Sequence, residues 1–96
     1  MSATAKEHWT RVDSVANLHD REVRLTVYFR AGEAETFHGK ANVSVIRRRF
    51  DPDTLFLALD DNGFEFDDGE LIGLTSSDEP YTLRGPFDYA LWVRDA

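Results

Sequence analysis

Glu22-Val23-Arg24-Leu25-Thr26-Val27-Tyr28-Phe29-Arg30 is the stretch on which the fold turns. Val23, Leu25, Val27 and Phe29 alternate with Glu22, Arg24, Thr26, Tyr28 and Arg30. A period of two in β-branched and aromatic residues predicts a strand with one face on a core and the other toward water. After a turn around Ala31, Gly32 and Glu33 a second alternation sets Phe37, Gly39, Ala41, Val43 and Val45 against His38, Lys40, Asn42 and Ser44. The two runs read as a hairpin with one solvated face.

Toward the C-terminus, Arg47-Arg48-Arg49-Phe50-Asp51-Pro52-Asp53 breaks the pattern, because proline cannot serve a central ladder. Thr54–Leu59 is continuously apolar, as a strand covered on both faces would be, and Asp61-Asn62-Gly63 signals a turn into Phe64, Glu65 and Phe66. Asp68-Gly69 is the next turn. Leu71 to Thr75 forms a further short strand, residues 76–80 a loop, and residues 81–84 a pairing segment. Gly85-Pro86 then turns the chain into a last strand in which Phe87, Tyr89, Leu91 and Val93 alternate with Asp88, Ala90, Trp92 and Arg94. Toward the N-terminus, Trp9, Val12, Val15, Ala16 and Leu18 recur at helical spacing. They predict a short helix or arm over residues 1–20, capped by Thr4 with Glu7 and ended near Asp20. The expected architecture is mainly β, α+β by count. It is a short N-terminal helix followed by about six or seven antiparallel strands in a small barrel or strongly curved sheet, residues 21–96 forming the β part of one domain.

The 96 residues, 42% hydrophobic, fit one core and leave no room for a second. The chain holds no cysteine, which excludes disulfides, thiolate metal sites and thiol nucleophiles. No apolar run approaches the roughly 20 residues that span a bilayer, and the first residues lack a signal-peptide core; the expectation is a cytoplasmic protein that does not enter membranes. The net charge of -7 is unevenly shared: residues 1–50 carry nine basic and six acidic side chains, residues 51–96 two and twelve. Ten acids fall within residues 51–83 without a basic residue among them. A field of that sign repels nucleic acid, and its simplest role is a solvated surface.

No motif supplies catalysis. His8, His19 and His38 lack metal-ligand spacing, Ser44, Ser76 and Ser77 lack a nucleophile elbow, and the acidic turns at 60–63 and 67–70 lack the EF-hand register. No catalytic residue, metal or cofactor is therefore expected. Two sets of contact residues stand out. Arg47, Arg48 and Arg49, with Lys40 and Arg24, can bind phosphate or carboxylate through forked or cationic donors, although the three consecutive arginines can equally answer the acids of the second half. Trp92, on a face shared with Asp88 and Arg94, is a candidate interface anchor that Tyr28 and Ile46 extend.

Arg21-Glu22-Val23-Arg24 before the first strand and Asn42-Val43-Ser44-Val45-Ile46-Arg47 at the end of the second resemble, in order, the R-x-x-x-R and [D/N]-x-S-x-x-G motifs of PilZ domains. That resemblance, confined to residues 21–47, implies a small β-barrel that binds a cyclic dinucleotide. Here the arginines stand one residue closer together, and Arg47 holds the position of the glycine. The order of helix then strands also resembles an Sm-type barrel.

The function expected from these residues is a non-enzymatic interaction or accessory module whose partner is another protein or a second copy. One alternative is a nucleotide- or RNA-binding barrel using the Arg47 to Arg49 loop, a partner class the net charge disfavours. Another is an acidic inhibitor that mimics nucleic acid, which requires the carboxylates to share one face.

Overall fold

The computed structural model describes residues 8–76 and 83–95. Seven strands follow one another: β1 (Trp9–Val12), β2 (Glu22–Tyr28), β3 (Ala34–Ile46), β4 (Thr54–Leu59), β5 (Asn62–Asp67), β6 (Glu70–Ser76) and β7 (Leu83–Arg94). All pairings are antiparallel, in the order β1-β7-β2-β3-β4-β5-β6, and a further pairing of β7 with β6 closes β2 to β7 into a six-stranded barrel with β1 added outside it. Two long strands make closure possible. β3 gives its first half to β2 and its second to β4, and β7 gives its first residues to β6 and its later ones to β2 and β1.

The alternation read from the sequence sets the interior. Val23, Leu25 and Val27 meet Leu57, Leu59, Phe64, Phe66, Leu71, Leu91 and Val93 in one buried cluster, with Phe37, Val43, Leu55, Phe87 and Tyr89 packed against it. Each of these apolar side chains contributes on the order of 1.5–3 kcal/mol when taken from water. β4 is covered on both sides, as its unbroken apolar run predicts: Leu57 and Leu59 point inward, while Thr54 is buried on the outer face. Gly63 of β5 lies under the ring of Phe56, where a Cβ would come within 2.3 Å of its Cζ.

Residues 8–20 form no helix. Trp9–Val12 is a strand, and residues 13–21 cross from β1 to β3 as an irregular segment. Asp20 N–H donates to the Ala41 carbonyl and Ala41 N–H to that of Arg21, both at 2.8 Å, and Val43 N–H donates to His19 Nδ1 at 3.0 Å. Val15 and Leu18 are buried in the core. The apolar spacing that suggested a helix thus comes from three side chains, Val12, Val15 and Leu18, that reach the core from a strand and a crossing segment. An isolated helix of this length is marginal without packing, and here the backbone groups are taken by β3. The Thr4 and Glu7 cap lies outside the described residues, as does most of the loop expected over residues 76–80.

Two turns also depart from expectation. Leu59 pairs with Asn62, so the β4–β5 loop is Asp60-Asp61, with Asp60 at φ 54°, and Asn62 and Gly63 already belong to β5. Gly85-Pro86 does not reverse the chain. It is a cis peptide inside β7, where a Cβ on Gly85 would lie 2.7 Å from the Leu71 carbonyl oxygen, so this glycine lets β7 approach β6. Asp68-Gly69, with φ of 50° and 83°, is the two-residue hairpin turn its sequence predicts.

Candidate interaction face

The outer surface of β1, β7, β2 and β3 carries an alternating row of cations and aromatics. Cross-strand pairing sets Arg11 opposite Trp92, Trp92 opposite Arg24 and Arg24 opposite His38; one step along, Trp9 stands opposite Arg94 and Glu22 opposite Lys40. The inward-facing Leu25, Leu91 and Val93 force these neighbours outward, because side chains alternate across a strand. The Arg24 guanidinium lies 4.8 Å from the centroid of the Trp9 ring and 4.9 Å from that of Trp92, and Arg11 lies 5.5 Å from Trp92. The result is a ladder, Trp9–Arg24–Trp92–Arg11, in which each guanidinium rests on an indole and is held in place by it.

Among the described residues neither Arg11 nor Arg24 has a carboxylate within ion-pair distance, whereas His19 pairs with Asp20, Arg47 with Asp53 and Arg48 with Glu65. Planar, always charged and fixed by stacking, the two arginines can receive an anion at low entropic cost. Lys40 and Arg94 lie on the same face with Glu22 opposite Lys40, so the cations of the face outnumber its carboxylates. In a molecule of net charge -7 this is a local basic surface.

The structure therefore gathers part of the residues singled out in the sequence. Trp92, Arg24 and Lys40 share the face. Trp92 is half-buried between arginines, not a bare anchor, so both it and Trp9 offer less stacking surface than an exposed indole would. Tyr28 is exposed at the far end of β2, opposite Asp88, and lines a separate groove of about 570 Å³ with Arg30, Leu83, Arg84 and Pro86. Ile46 is half-buried at the end of β3 opposite Thr54. Arg47 reaches Asp53 at 3.8 Å, Arg48 pairs with Glu65, and Arg49 lies over Phe50 at 5.6 Å. Burial opposes ionisation of Glu65, but the Thr54 hydroxyl at 2.8 Å, the bond and charge of Arg48 and the charge of Arg84 outweigh it, and its pKa is held below the usual glutamate range.

Trp9, Arg11 and Arg94 were not among the sequence candidates. Trp-x-Arg occurs at 9–11 and again at 92–94, and that repetition is the signal that marks them.

Elsewhere, a hollow of about 520 Å³ is rimmed by Asp13, Asp53 and Asp68 beside Tyr89, whose hydroxyl donates to the Gly69 carbonyl at 2.7 Å. Burial and the charge of Asp13 raise the Tyr89 pKa against the smaller opposing effect of Arg11. No group of three or more His, Cys, Asp or Glu side chains among the described residues is placed to hold a metal ion. Among the described residues the acidic turns are divided: Asp60 and Asp61 sit at one end of β5, and Asp67, Asp68 and Glu70 at the other. The described residues contain no helix long and apolar enough to cross a membrane.

Fold and face together define a small closed antiparallel β-barrel with an added strand and a tryptophan–arginine ladder on one side. No family model, curated protein or solved structure matches the chain.

Proposed function

We propose that the protein is a non-enzymatic interaction module that recognises an acidic segment of a partner protein on the outer face of β1, β7, β2 and β3. The observation that carries this reading is the ladder itself: Arg11 and Arg24 are stacked on Trp92 and Trp9 with no carboxylate of the described residues within ion-pair distance. Buried arginine pairs are ordinarily answered within a fold, whereas these guanidiniums are presented to solvent in a fixed geometry that suits carboxylates. Occupation of the indole faces by arginine supports a carboxylate ligand over nucleobases, which need a free ring on which to stack. The overall negative charge favours a short acidic segment over a long polyanion for the same reason.

The nucleotide- or RNA-binding reading retains Arg24 and Lys40 but loses support at Arg47 and Arg48, which already have acidic partners. The division of the carboxylates between both ends of β5 gives little support to a nucleic-acid mimic.

Both tryptophans of the chain lie in the ladder, so intrinsic fluorescence reports on it directly. Titration with a short Glu-rich peptide at low ionic strength is expected to shift the emission and saturate, and Arg24→Ala to weaken the response by about tenfold, the loss of one charge-assisted contact. Emission unchanged by the peptide defeats the proposal. A response to oligothymidylate and none to the peptide would transfer the face to the nucleic-acid reading.

A further inference from the structure

β1 is hydrogen-bonded along one edge. Its four residues pair with β7, and no strand among the described residues lies along the other side. The Asp95 N–H donates to the His8 carbonyl at 2.9 Å. Backbone groups alternate in direction along a strand, so His8, Thr10 and Val12 turn theirs toward β7, and Trp9 and Arg11 turn theirs outward. The open edge thus offers two N–H donors and two carbonyl acceptors. Such an edge is a template for another strand.

The side chains of the edge specify which strand fits. Within the molecule Trp9-Thr10-Arg11 runs antiparallel to Trp92-Val93-Arg94, with each tryptophan opposite an arginine. A Trp-x-Arg segment is complementary to itself in that orientation. We propose that β1 pairs antiparallel with β1 of a second copy of this chain, about a twofold axis through Thr10, so that Trp9 stands opposite Arg11 of the partner subunit and Arg11 opposite Trp9 of the partner subunit. In this register the outward groups of Trp9 and Arg11 all find partners, and Thr10 meets the partner's Thr10 as a non-hydrogen-bonded pair. A slip of one residue sets outward groups against inward ones. A slip of two sets arginine against arginine or tryptophan against tryptophan, so charge and hydrogen bonding select the same register. The ladder then runs without a break across both subunits in an isologous dimer. A contact of this length buries less than a standard interface, and the dimer is in exchange with monomer at micromolar concentration. The pairing uses the edge of β1 and does not depend on what binds the outer face.

The chain has no cysteine, so Thr10→Cys places the only thiol on the proposed axis, where the side chains of a non-hydrogen-bonded pair approach closely enough for a disulfide. Mild oxidation is expected to cross-link Thr10→Cys as a dimer much faster than Val45→Cys, a thiol at another exposed position, on β3. Arg11→Pro removes an outward N–H and leaves the bonds to β7 in place. It is expected to abolish both the cross-link and the rise in sedimentation mass from 11.0 kDa toward twice that value as concentration increases. Should Arg11→Pro lose the native circular dichroism, Trp9→Arg, which sets arginine against arginine across the axis, replaces it in the same measurements. Sedimentation as monomer across the micromolar range, or cross-linking of Thr10→Cys no faster than Val45→Cys, overturns the proposal.

Discussion

At the scale of single residues, the outer wall of the barrel is as constrained as its interior. Gly63 is buried beneath Phe56, and Gly63→Ala forces the ring aside; the expected cost is about 1–3 kcal/mol, read as a lower denaturation midpoint with an unchanged slope. Glu65, with its side chain 13% exposed, holds Arg48 and Thr54 together on the same wall. Its pKa is lower in the folded state than in the unfolded chain, so the unfolded state binds the proton more readily. The stability it contributes is present above the ordinary glutamate range and is lost as the pH falls through the depressed folded value. Thermal melts from about pH 6 down to about pH 3 should therefore show a steeper decline for the native protein than for Glu65→Gln. Neither role is visible in the sequence: Gly63 reads as a turn residue and Glu65 as an ordinary solvent-facing position, because the side chains that confine them come from β4 and from the loop after β3.

At the scale of elements, β2, the β5–β6 hairpin and the two-sided covering of β4 were legible from period and turn chemistry alone. β1 was not. Residues 9–18 carry apolar side chains at helical spacing, and what overrides that spacing is the offer of a strand edge by β7 and of backbone partners by β3. β1 has few internal resources, since among the described residues only one of its edges is bonded, and the contact of Trp9 with Arg24 ties it across β7 to the barrel. Trp9→Ala is expected to speed exchange of the Thr10 and Val12 amides by about tenfold and to leave those of Val23 and Leu25 unaltered, measured by hydrogen exchange on the native protein. Equal acceleration in β2 would show that β1 and the barrel open as one unit. Alternation marks β7 from Phe87 onward, whereas Gly85-Pro86 has turn chemistry, and only the neighbouring β6 reveals that the chain passes straight through.

At the scale of the whole molecule, the charge asymmetry has two opposed consequences. Excess carboxylates repel one another over the surface, whereas the ladder attracts anions to one face. Raising the salt concentration from about 10 mM to about 150 mM shortens the screening length from about 30 Å to about 8 Å. The melting temperature should rise as self-repulsion is screened, and affinity for an acidic peptide should fall; calorimetry and the fluorescence titration measure the two separately. A fall in both would place the dominant electrostatic effect in attractive pairs such as Arg48 with Glu65. By itself the sequence determined the class of fold, the alternation that fills the core and the acidic second half, since these depend on local period, turn residues and composition. Closure of the barrel, replacement of the expected helix by β1 and assembly of the ladder were decided by tertiary structure. Trp9 and Arg11 meet Trp92 and Arg94 through a pairing of the two chain ends, where Thr10 and Asp95 bond across 85 positions, and no local pattern encodes a partner that distant.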